Sequence, residues 1–331
     1  MLLKLFKRTG PGAISLIVLT LLMVWASAFI SLRDRFSLYF DLDPMPLYGL
    51  LSSLIGTHPL IGIFFSLLLL VSMAFLMVSL NTNLVFINER TFLPALIYIL
   101  LSGLFPQYQL MNPAIFAAVF LMLAIKRIME AYRIAGTAYN FFDAGILIGI
   151  GSLFYANLIW FGFIIIIGIA LLRTGNPKEI ALSFTGLITP YVLSLGFYYV
   201  LGKDPVELLN VLVYNLFGKP SAYAFTSLTV VAIIFAGICT ALSIFYLITV
   251  MDSKKISSRK TFLLLLWLFF ISGGVFVAVP SASVEMIWIA GIPVSYLLAH
   301  YFVFVRKKLI PEILFSLLFI IIFIIQVIYL R

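Results

Sequence analysis

The residues best placed to do chemistry lie in one polar stretch near the N-terminus, residues 32–58. This stretch is the longest polar interruption of a strongly apolar sequence, and it contains three aspartates, two arginines and one of two histidines. Asp34, Asp41 and Asp43 are candidate catalytic bases, because a carboxylate can accept the proton of an attacking hydroxyl group. The alternative is a solvated loop, since charged side chains are usually exposed to water.

Four basic residues could hold a phosphate beside these aspartates. Arg33 and Arg35 flank the first aspartate, and Lys203 and Lys219 belong to a second polar stretch later in the chain. Guanidinium and ammonium groups bind phosphate oxygens through charge-assisted hydrogen bonds. We therefore predict Arg33, Arg35, Lys203 and Lys219 as ligands of a substrate phosphate.

Other reaction classes lack the motifs they need. The sequence has no GxSxG, HExxH or P-loop motif, and its two histidines, His58 and His300, are isolated. The single cysteine, Cys239, has no intrachain disulfide partner. Metal and triad chemistry are poorly supported, and His300 is expected to be a buried or interfacial hydrogen-bonding residue.

The elements that must position these residues are membrane-spanning helices. The 331 residues are 64% hydrophobic and 10% charged, whereas about a quarter of the residues in a soluble protein are charged. Their mean hydropathy is +1.21. The predicted fold class is all-α, a polytopic transmembrane helix bundle of about 11 spans in a single integral membrane domain, 1–331. The four tryptophans are expected near the membrane interfaces as an aromatic belt: Trp25, Trp160, Trp267 and Trp288.

The span count rests on apolar runs near the roughly 20 residues that a crossing helix needs. The runs are 13–32, 59–81, 93–106, 114–132, 139–154, 155–173, 180–201, 227–250, 262–279, 287–305 and 309–330. With a cytoplasmic N-terminus, 16 of the 21 basic residues fall on the cytoplasmic side, in agreement with the positive-inside rule. If either short run, 93–106 or 139–154, failed to cross, every later loop would change sides. The charge distribution therefore favours eleven crossings and an outer C-terminus, and it explains the net charge of +9 without nucleic acid.

Two outer loops, about 33–58 and 203–226, contain amphipathic segments. Their apolar residues recur at helical spacing: Met45, Leu47, Leu50, Leu51, Leu54 and Ile55 in the first, and Val206, Leu209, Leu212, Val213 and Leu216 in the second. Such segments lie in the plane of the membrane interface. Two of them could form a roof that shields a site from water, or they could only stiffen the loops.

Glycines at two places predict close helix packing. Gly145 and Gly149 form a small-xxx-small pair, which lets a neighbouring helix approach. The alternative for this pair is a broken helix at a ligand site, as transporters use. The adjacent Gly273 and Gly274 are also expected to need only packing. Asp143 is expected at the interface beside basic residues: Lys126, Arg127 and Arg133.

The order of these features resembles the C-type glycosyltransferase superfamily. An acidic outer loop after the first helix precedes PMPLYGLLSSLIG, the hairpin SLNTNLVFINERTFLPALIYILLSGLFPQYQLMNPAIFAAVFLMLAIKRI and, later, SVEMIWIAGIPVSYLLAHYF. The stretches FFDAGILIGIGSLFYANLIWF and TGLITPYVL are more similar to an uncharacterised Bacteroidota family of polytopic inner-membrane proteins, over about residues 60–305.

The superfamily resemblance implies an enzyme that takes a sugar from a polyprenyl-phosphate donor at the outer face of the bacterial inner membrane. It places Asp34 in the position of the base, with Asp41 and Asp43 as alternatives, and leaves room for a divalent metal ion. The sequence departs from the superfamily because arginines flank Asp34 and the second outer acidic motif is absent. One alternative is therefore a non-catalytic subunit that holds other membrane proteins in an envelope complex. A second, a lipid or solute transporter, is disfavoured because nearly every ionisable residue falls at a predicted helix end.

Overall fold

The structure is a computed structural model that describes residues 2–7, 10–30, 43–55, 58–84, 86–132, 138–172, 177–219, 226–305 and 309–330. Within these ranges it contains fourteen α-helices and no β-strand. In chain order the helices are α1 (Leu2–Phe6), α2 (Pro11–Ile30), α3 (Pro46–Ile55), α4 (Pro59–Leu84), α5 (Leu93–Ser102), α6 (Pro113–Glu130), α7 (Ala138–Ser152), α8 (Phe163–Leu172), α9 (Pro177–Val200), α10 (Pro205–Phe217), α11 (Ser227–Val250), α12 (Ile256–Ala278), α13 (Ile287–Phe304) and α14 (Leu309–Tyr329). Short 3₁₀ helices, among them Ala156–Gly162 and Val284–Met286, join some of them.

Proline marks the start of many helices in this chain. It occupies the first position of α2, α3, α4, α6, α9 and α10. Its fixed φ suits the first helical turn, where the missing N–H is not needed. The side chains of Asn112 and Asp204 complete two of these starts by accepting hydrogen bonds from Ala114 N, at 2.7 Å, and Val206 N, at 2.9 Å.

The predicted polytopic helical bundle is confirmed, and each of the eleven predicted spans contains helix. Seven helical segments of the described residues, those of α2, α4, α9, α11, α12, α13 and α14, are long and apolar enough to cross a membrane. The other four predicted spans correspond to α5, α6, α7 and α8. α13 is the most deeply buried of the seven and packs on α5, α6, α11 and α12.

The shortest predicted span, α5, is about 15 Å long and is buried along its whole length. The chain before it is held at Asn81 of α4, whose Nδ2 donates to Glu89 O at 3.1 Å. The chain after it is held at Ser66 of α4, whose Oγ donates to Leu110 O at 3.1 Å. Positions 66 and 81 of one helix lie about 22 Å apart. The segment around α5 therefore runs along about 22 Å of α4, and its crossing of the membrane stays a prediction.

The predicted packing role of Gly145 and Gly149 is confirmed. α7 is a continuous helix, so the broken-helix alternative is wrong. A methyl group at Gly145 would collide with the carbonyl oxygen of Ser183 in α9, and one at Gly149 would lie 2.6 Å from Leu187 O. Gly186 of α9 meets the backbone of Phe142 in the same way. The two helices thus touch backbone to backbone.

The packing prediction is wrong for Gly273 and Gly274. No atom of the described residues lies within 4 Å of the position that a Cβ would take at either residue. These glycines leave open space beside α12 instead of admitting a neighbouring helix.

A buried polar network joins α2, α14 and the loop after α5. Ser27 Oγ lies within hydrogen-bond distance of the side-chain oxygens of Gln109, at 3.1 Å, and Gln326, and its single proton can be donated to either. Gln326 Nε2 donates to Gly103 O at 2.7 Å, and Gln109 Nε2 to Val24 O at 2.9 Å. Both amide nitrogens therefore have acceptors, as buried polar groups require.

The predicted aromatic belt is wrong for Trp267, which lies midway along α12, away from both helix ends. Trp25 and Trp288 are buried in the bundle with ring centroids 6.5 Å apart, and Trp25 Nε1 donates to Ser102 Oγ at 3.1 Å. Trp288 is the second residue of α13 and Trp25 lies five residues before the end of α2. For these two residues and Trp160 a position near an interface stays a prediction.

Side-chain contacts group the loops into two ends of the bundle. At one, the Asp43 end, Ser281 Oγ lies 3.1 Å from Asn157 Oδ1 and 3.0 Å from Leu216 O and can donate its proton to either. At the other, the Arg127 end, Lys260 Nζ lies 5.3 Å from the centroid of the Tyr132 ring. Arg127 Nε pairs there with Asp143 Oδ2 at 3.6 Å, which confirms the predicted position of Asp143 beside this arginine. Which end faces the cytoplasm stays a prediction.

Candidate functional site

Three of the seven predicted site residues, Asp43, Lys203 and Lys219, are described by the structure. Each has an exposed side chain at the Asp43 end of the bundle. The other predicted residues lie outside the described residues: Arg33, Arg35, Asp34 and Asp41.

Asp43 is fixed to α10 through its backbone. Asn215 Nδ2 donates to Asp43 O at 2.8 Å, and Asn215 Oδ1 accepts from Asp43 N at 3.4 Å. Asn215 is 2% exposed, so little water competes for these bonds. Two residues further on, Met45 is buried against Ala156 and Leu216. The two predicted amphipathic segments therefore meet, with the Asp43 carboxylate left exposed.

α10 presents three different faces, which explains why it lies at the surface of the bundle. The buried face consists of Leu208, Asn215 and Leu216. An exposed apolar stripe consists of Val206, Leu209, Val213 and Phe217. A polar face between them carries Glu207, Asn210 and Tyr214. A helix with an apolar stripe beside a polar one suits the boundary between hydrocarbon and water.

The polar face of α10 forms one wall of an open groove of about 620 Å³, the carboxylate groove. Its lining residues are Asp43, Asp204, Glu207, Asn210, Val211, Val213 and Tyr214. Ionised carboxylates only accept hydrogen bonds, and no basic residue lines the groove in the described part of the chain. The groove therefore suits sugar hydroxyl groups and repels a phosphate.

The two predicted lysines cannot hold the same phosphate. Lys203 precedes α10 and Lys219 follows it, and a helix of thirteen residues is about 20 Å long. Lys203 adjoins Asp204 of the carboxylate groove, and its Nζ lies 5.6 Å from the centroid of the Tyr198 ring. Lys219 follows Tyr214, at the other end of the groove, by five residues.

The described residues do not fit a divalent metal ion. Asp43, Asp204 and Glu207 line one groove, yet no three acidic, histidine or cysteine side chains in the described ranges come close enough to share a cation. One carboxylate oxygen of Asp204 is also engaged in capping α10. The chemistry derived below therefore uses no metal.

Two apolar grooves lie under the C-terminal end of α10, one on each side of α8. The α8–α9 groove, about 240 Å³, includes Ser183, Leu187 and Leu216. The α8–α12 groove, about 610 Å³, includes Gly274 and Phe217. Trp160 and Phe163 line both grooves and form the wall between them.

Sequence reasoning missed several polar residues at the Asp43 end. Asn215 gave no signal, because its partner is 172 residues away in the chain. Asp204 and Glu207 were visible as an acidic helix start, a common capping pattern. Glu285, which accepts from Ser283 Oγ at 3.1 Å, is completely buried in the 3₁₀ helix before α13. The sequence signal for Glu285 was its position directly before a long apolar run.

His300 is buried as predicted, but the predicted hydrogen bonding is wrong. Neither ring nitrogen has a hydrogen-bond partner in the described structure. The imidazole lies against the rings of Tyr246, Phe262 and Phe304. Lys254 Nζ lies 5.2 Å from the centroid of Phe262 and 5.1 Å from that of Phe304. Partial burial lowers the pKa of Lys254.

No protein-family model matches the sequence, and no curated protein matches it as a relative. The chain is similar in structure to the oligosaccharyltransferase of Archaeoglobus fulgidus, crystallised with a tethered acceptor peptide that contains an NVT sequon. The TM-score is 0.49 at 11% sequence identity, over 96% of this chain and 55% of that one. The chain thus spans about half the length of that structure, and a likeness at this level establishes no activity.

Proposed function

We propose that the chain is a membrane-embedded glycosyltransferase-like protein that uses a polyprenyl-phosphate-linked sugar at the outer face of the inner membrane. The observation that carries this proposal is the arrangement of α10. A carboxylate-lined groove and an exposed apolar stripe lie side by side on this one helix. A substrate with a sugar head group and a hydrocarbon tail needs a polar surface and an apolar surface at the same depth in the membrane.

The two surfaces are close enough to serve one molecule. Val213 belongs to the apolar stripe and also lines the carboxylate groove. Residues three or four apart on a helix are surface neighbours, so Asn210 of the polar face adjoins both Val206 and Val213 of the apolar stripe. A lipid tail along the stripe would place its head group at the mouth of the groove.

The reaction that fits these groups is a single displacement at the anomeric carbon of the sugar. A hydroxyl oxygen of the acceptor forms a bond to that carbon as its bond to the phosphate oxygen breaks. A carboxylate takes the hydroxyl proton, and polyprenyl phosphate leaves with the bonding electron pair. Asp34, Asp41 and Asp43 are the candidates for the base, and Asp43 is the one that lines the groove.

The leaving phosphate is assigned to cations outside the groove. Arg33, Arg35 and Lys203 are the candidates, because Lys203 adjoins the groove and Lys219 lies beyond the far end of α10. Binding of undecaprenyl phosphate to the purified protein tests this assignment. Lys203→Ala should weaken binding and Lys219→Ala should not; no binding by the wild type, or equal effects of the two variants, would contradict it.

A second candidate function is a non-catalytic membrane subunit of an envelope complex. The observation that favours it is that the two described phosphate-binding candidates do not converge. If this is the function, the combined Asp34→Asn, Asp41→Asn and Asp43→Asn variant leaves cellular glycans unchanged while purification still recovers the partner proteins. A loss of a glycan in that variant would exclude it.

A further inference from the structure

We infer that the two apolar grooves beside α8 form a binding site for one anionic, two-chain phospholipid, with one acyl chain in each groove and the head group at Lys219. This site is distinct from the carboxylate groove, and it does not depend on the proposed function. The inference rests on the geometry of the grooves and on the charge at their upper end, which is the end nearest α10.

The grooves have the form that two chains from one head group require. They lie on opposite sides of Trp160 and Phe163, which line both. Their upper ends meet beneath α10, where Leu216 borders the α8–α9 groove and the next residue, Phe217, borders the α8–α12 groove. A polyprenyl phosphate has one chain and would fill only one of them.

The larger groove is open because α12 carries glycine there. Gly274 lines it, and nothing lies within 4 Å of the Cβ position at that residue. Gly273 has equally open surroundings but does not line the groove. This neighbouring pair gives a matched test, because the same substitution blocks the groove at one position and leaves it open at the other.

The upper end of the grooves carries a positive charge. Lys219 is exposed and follows Phe217 by two residues, so their Cα atoms are at most about 7 Å apart. The carboxylates Glu207 and Asp204 lie towards the opposite end of α10, about 15 Å or more along the helix, which exceeds the screening length of about 8 Å in physiological salt. Asp43 is nearer, because Asn215 holds its backbone four residues before Lys219, but its carboxylate is exposed to water and forms no ion pair with Lys219 among the described residues. The ammonium group of Lys219 therefore stays available to an anionic head group at this end.

Native mass spectrometry of the purified protein with phosphatidylglycerol, phosphatidylethanolamine or undecaprenyl phosphate tests the site. The wild type should retain one phosphatidylglycerol, preferred over phosphatidylethanolamine by about fivefold, which is the effect of one basic residue near the membrane surface. Gly274→Leu should lose it and Gly273→Leu should keep it. Lys219→Glu should abolish the preference, and Lys203→Glu, the same charge change at the other end of α10, should not.

Three results would overturn the inference: no preference in the wild type, equal retention by both glycine variants, or displacement of phosphatidylglycerol by undecaprenyl phosphate at equal concentration. If the glycine variants fail to fold, fluorescence quenching gives an independent readout. Brominated phosphatidylglycerol should quench the wild type more than brominated phosphatidylethanolamine does, and Trp160→Phe should remove that difference. A difference that persists in Trp160→Phe places the lipid elsewhere.

Discussion

The side chain of Asn215 in α10 holds the backbone of Asp43 by two hydrogen bonds, of 2.8 Å to the carbonyl oxygen and 3.4 Å from the amide nitrogen. This contact joins a residue of the first polar stretch to a helix that lies far along the chain. It fixes the position of Asp43 without using its carboxylate. A change of the Asp43 side chain therefore tests chemistry, and a change of Asn215 tests position.

Asn215→Ala should lower the free energy of unfolding by about 1 kcal/mol, because it removes two partly buried hydrogen bonds to the backbone of Asp43. Unfolding of the purified protein in detergent, followed by intrinsic fluorescence, measures the change. Asn210→Ala is the matched control, since Asn210 is exposed on the same helix. Equal stability of the two variants would show that the contact contributes little.

Gly186→Ala should destabilise the protein by about 1–3 kcal/mol, the usual cost of overpacking. The added methyl group meets the backbone of Phe142, which cannot rotate away as a side chain could. Gly196→Ala on the same helix has open space and should be neutral or stabilising, because alanine is the better helix former. Thermal unfolding of both variants measures the difference, and a neutral Gly186→Ala would argue against backbone contact between α7 and α9.

Lys254 should make stability depend on pH in the alkaline range. Burial lowers its pKa below the ordinary value of 10.5, so the unfolded chain binds this proton more tightly than the folded protein. The free energy of unfolding should therefore rise as the pH increases from the folded-state pKa towards 10.5. Lys254→Met should lack this rise and Lys255→Met, at the exposed neighbouring position, should retain it. A free energy of unfolding that falls with increasing pH in the wild type, but not in Lys254→Met, would contradict the predicted direction.

The membrane topology can be tested with single cysteines in a Cys239→Ser background. Asn210→Cys lies at the Asp43 end, and Asp252→Cys lies by the start of α12 at the Arg127 end. A membrane-impermeant maleimide should label Asn210→Cys in spheroplasts and Asp252→Cys only in inverted vesicles. A reporter fused after Arg331 should read as periplasmic. The reverse pattern would overturn the predicted orientation.

Local pattern was sufficient to predict the helices and one of the helix contacts. Apolar run length located the eleven runs, because it is a property of a single helix. Gly145 and Gly149 are four residues apart and share a face, which is why their packing role could be read from spacing. Gly273 and Gly274 are adjacent and cannot share a face, so the same inference failed for them.

The candidate site was harder to predict because it depends on contacts between distant parts of the chain. Helical periodicity identified α10 as amphipathic but could not show that Asn215 holds Asp43. The length of α10 alone could have shown that Lys203 and Lys219 are separated, since a straight helix fixes the distance between its ends. Trp267 was misplaced because an aromatic belt is an average property of membrane proteins and says nothing about a particular residue.

The central claim, that a carboxylate at the Asp43 end promotes sugar transfer from a polyprenyl phosphate, is tested most directly by product release. Protein in nanodiscs would receive undecaprenyl-phosphate-linked hexoses with a membrane extract as acceptor source, and released undecaprenyl phosphate would be measured. We expect release by the wild type and a rate about 100- to 10,000-fold lower in one of Asp34→Asn, Asp41→Asn or Asp43→Asn, with Asp252→Asn unchanged. No release by the wild type, or the same rate in all four variants, would contradict the claim.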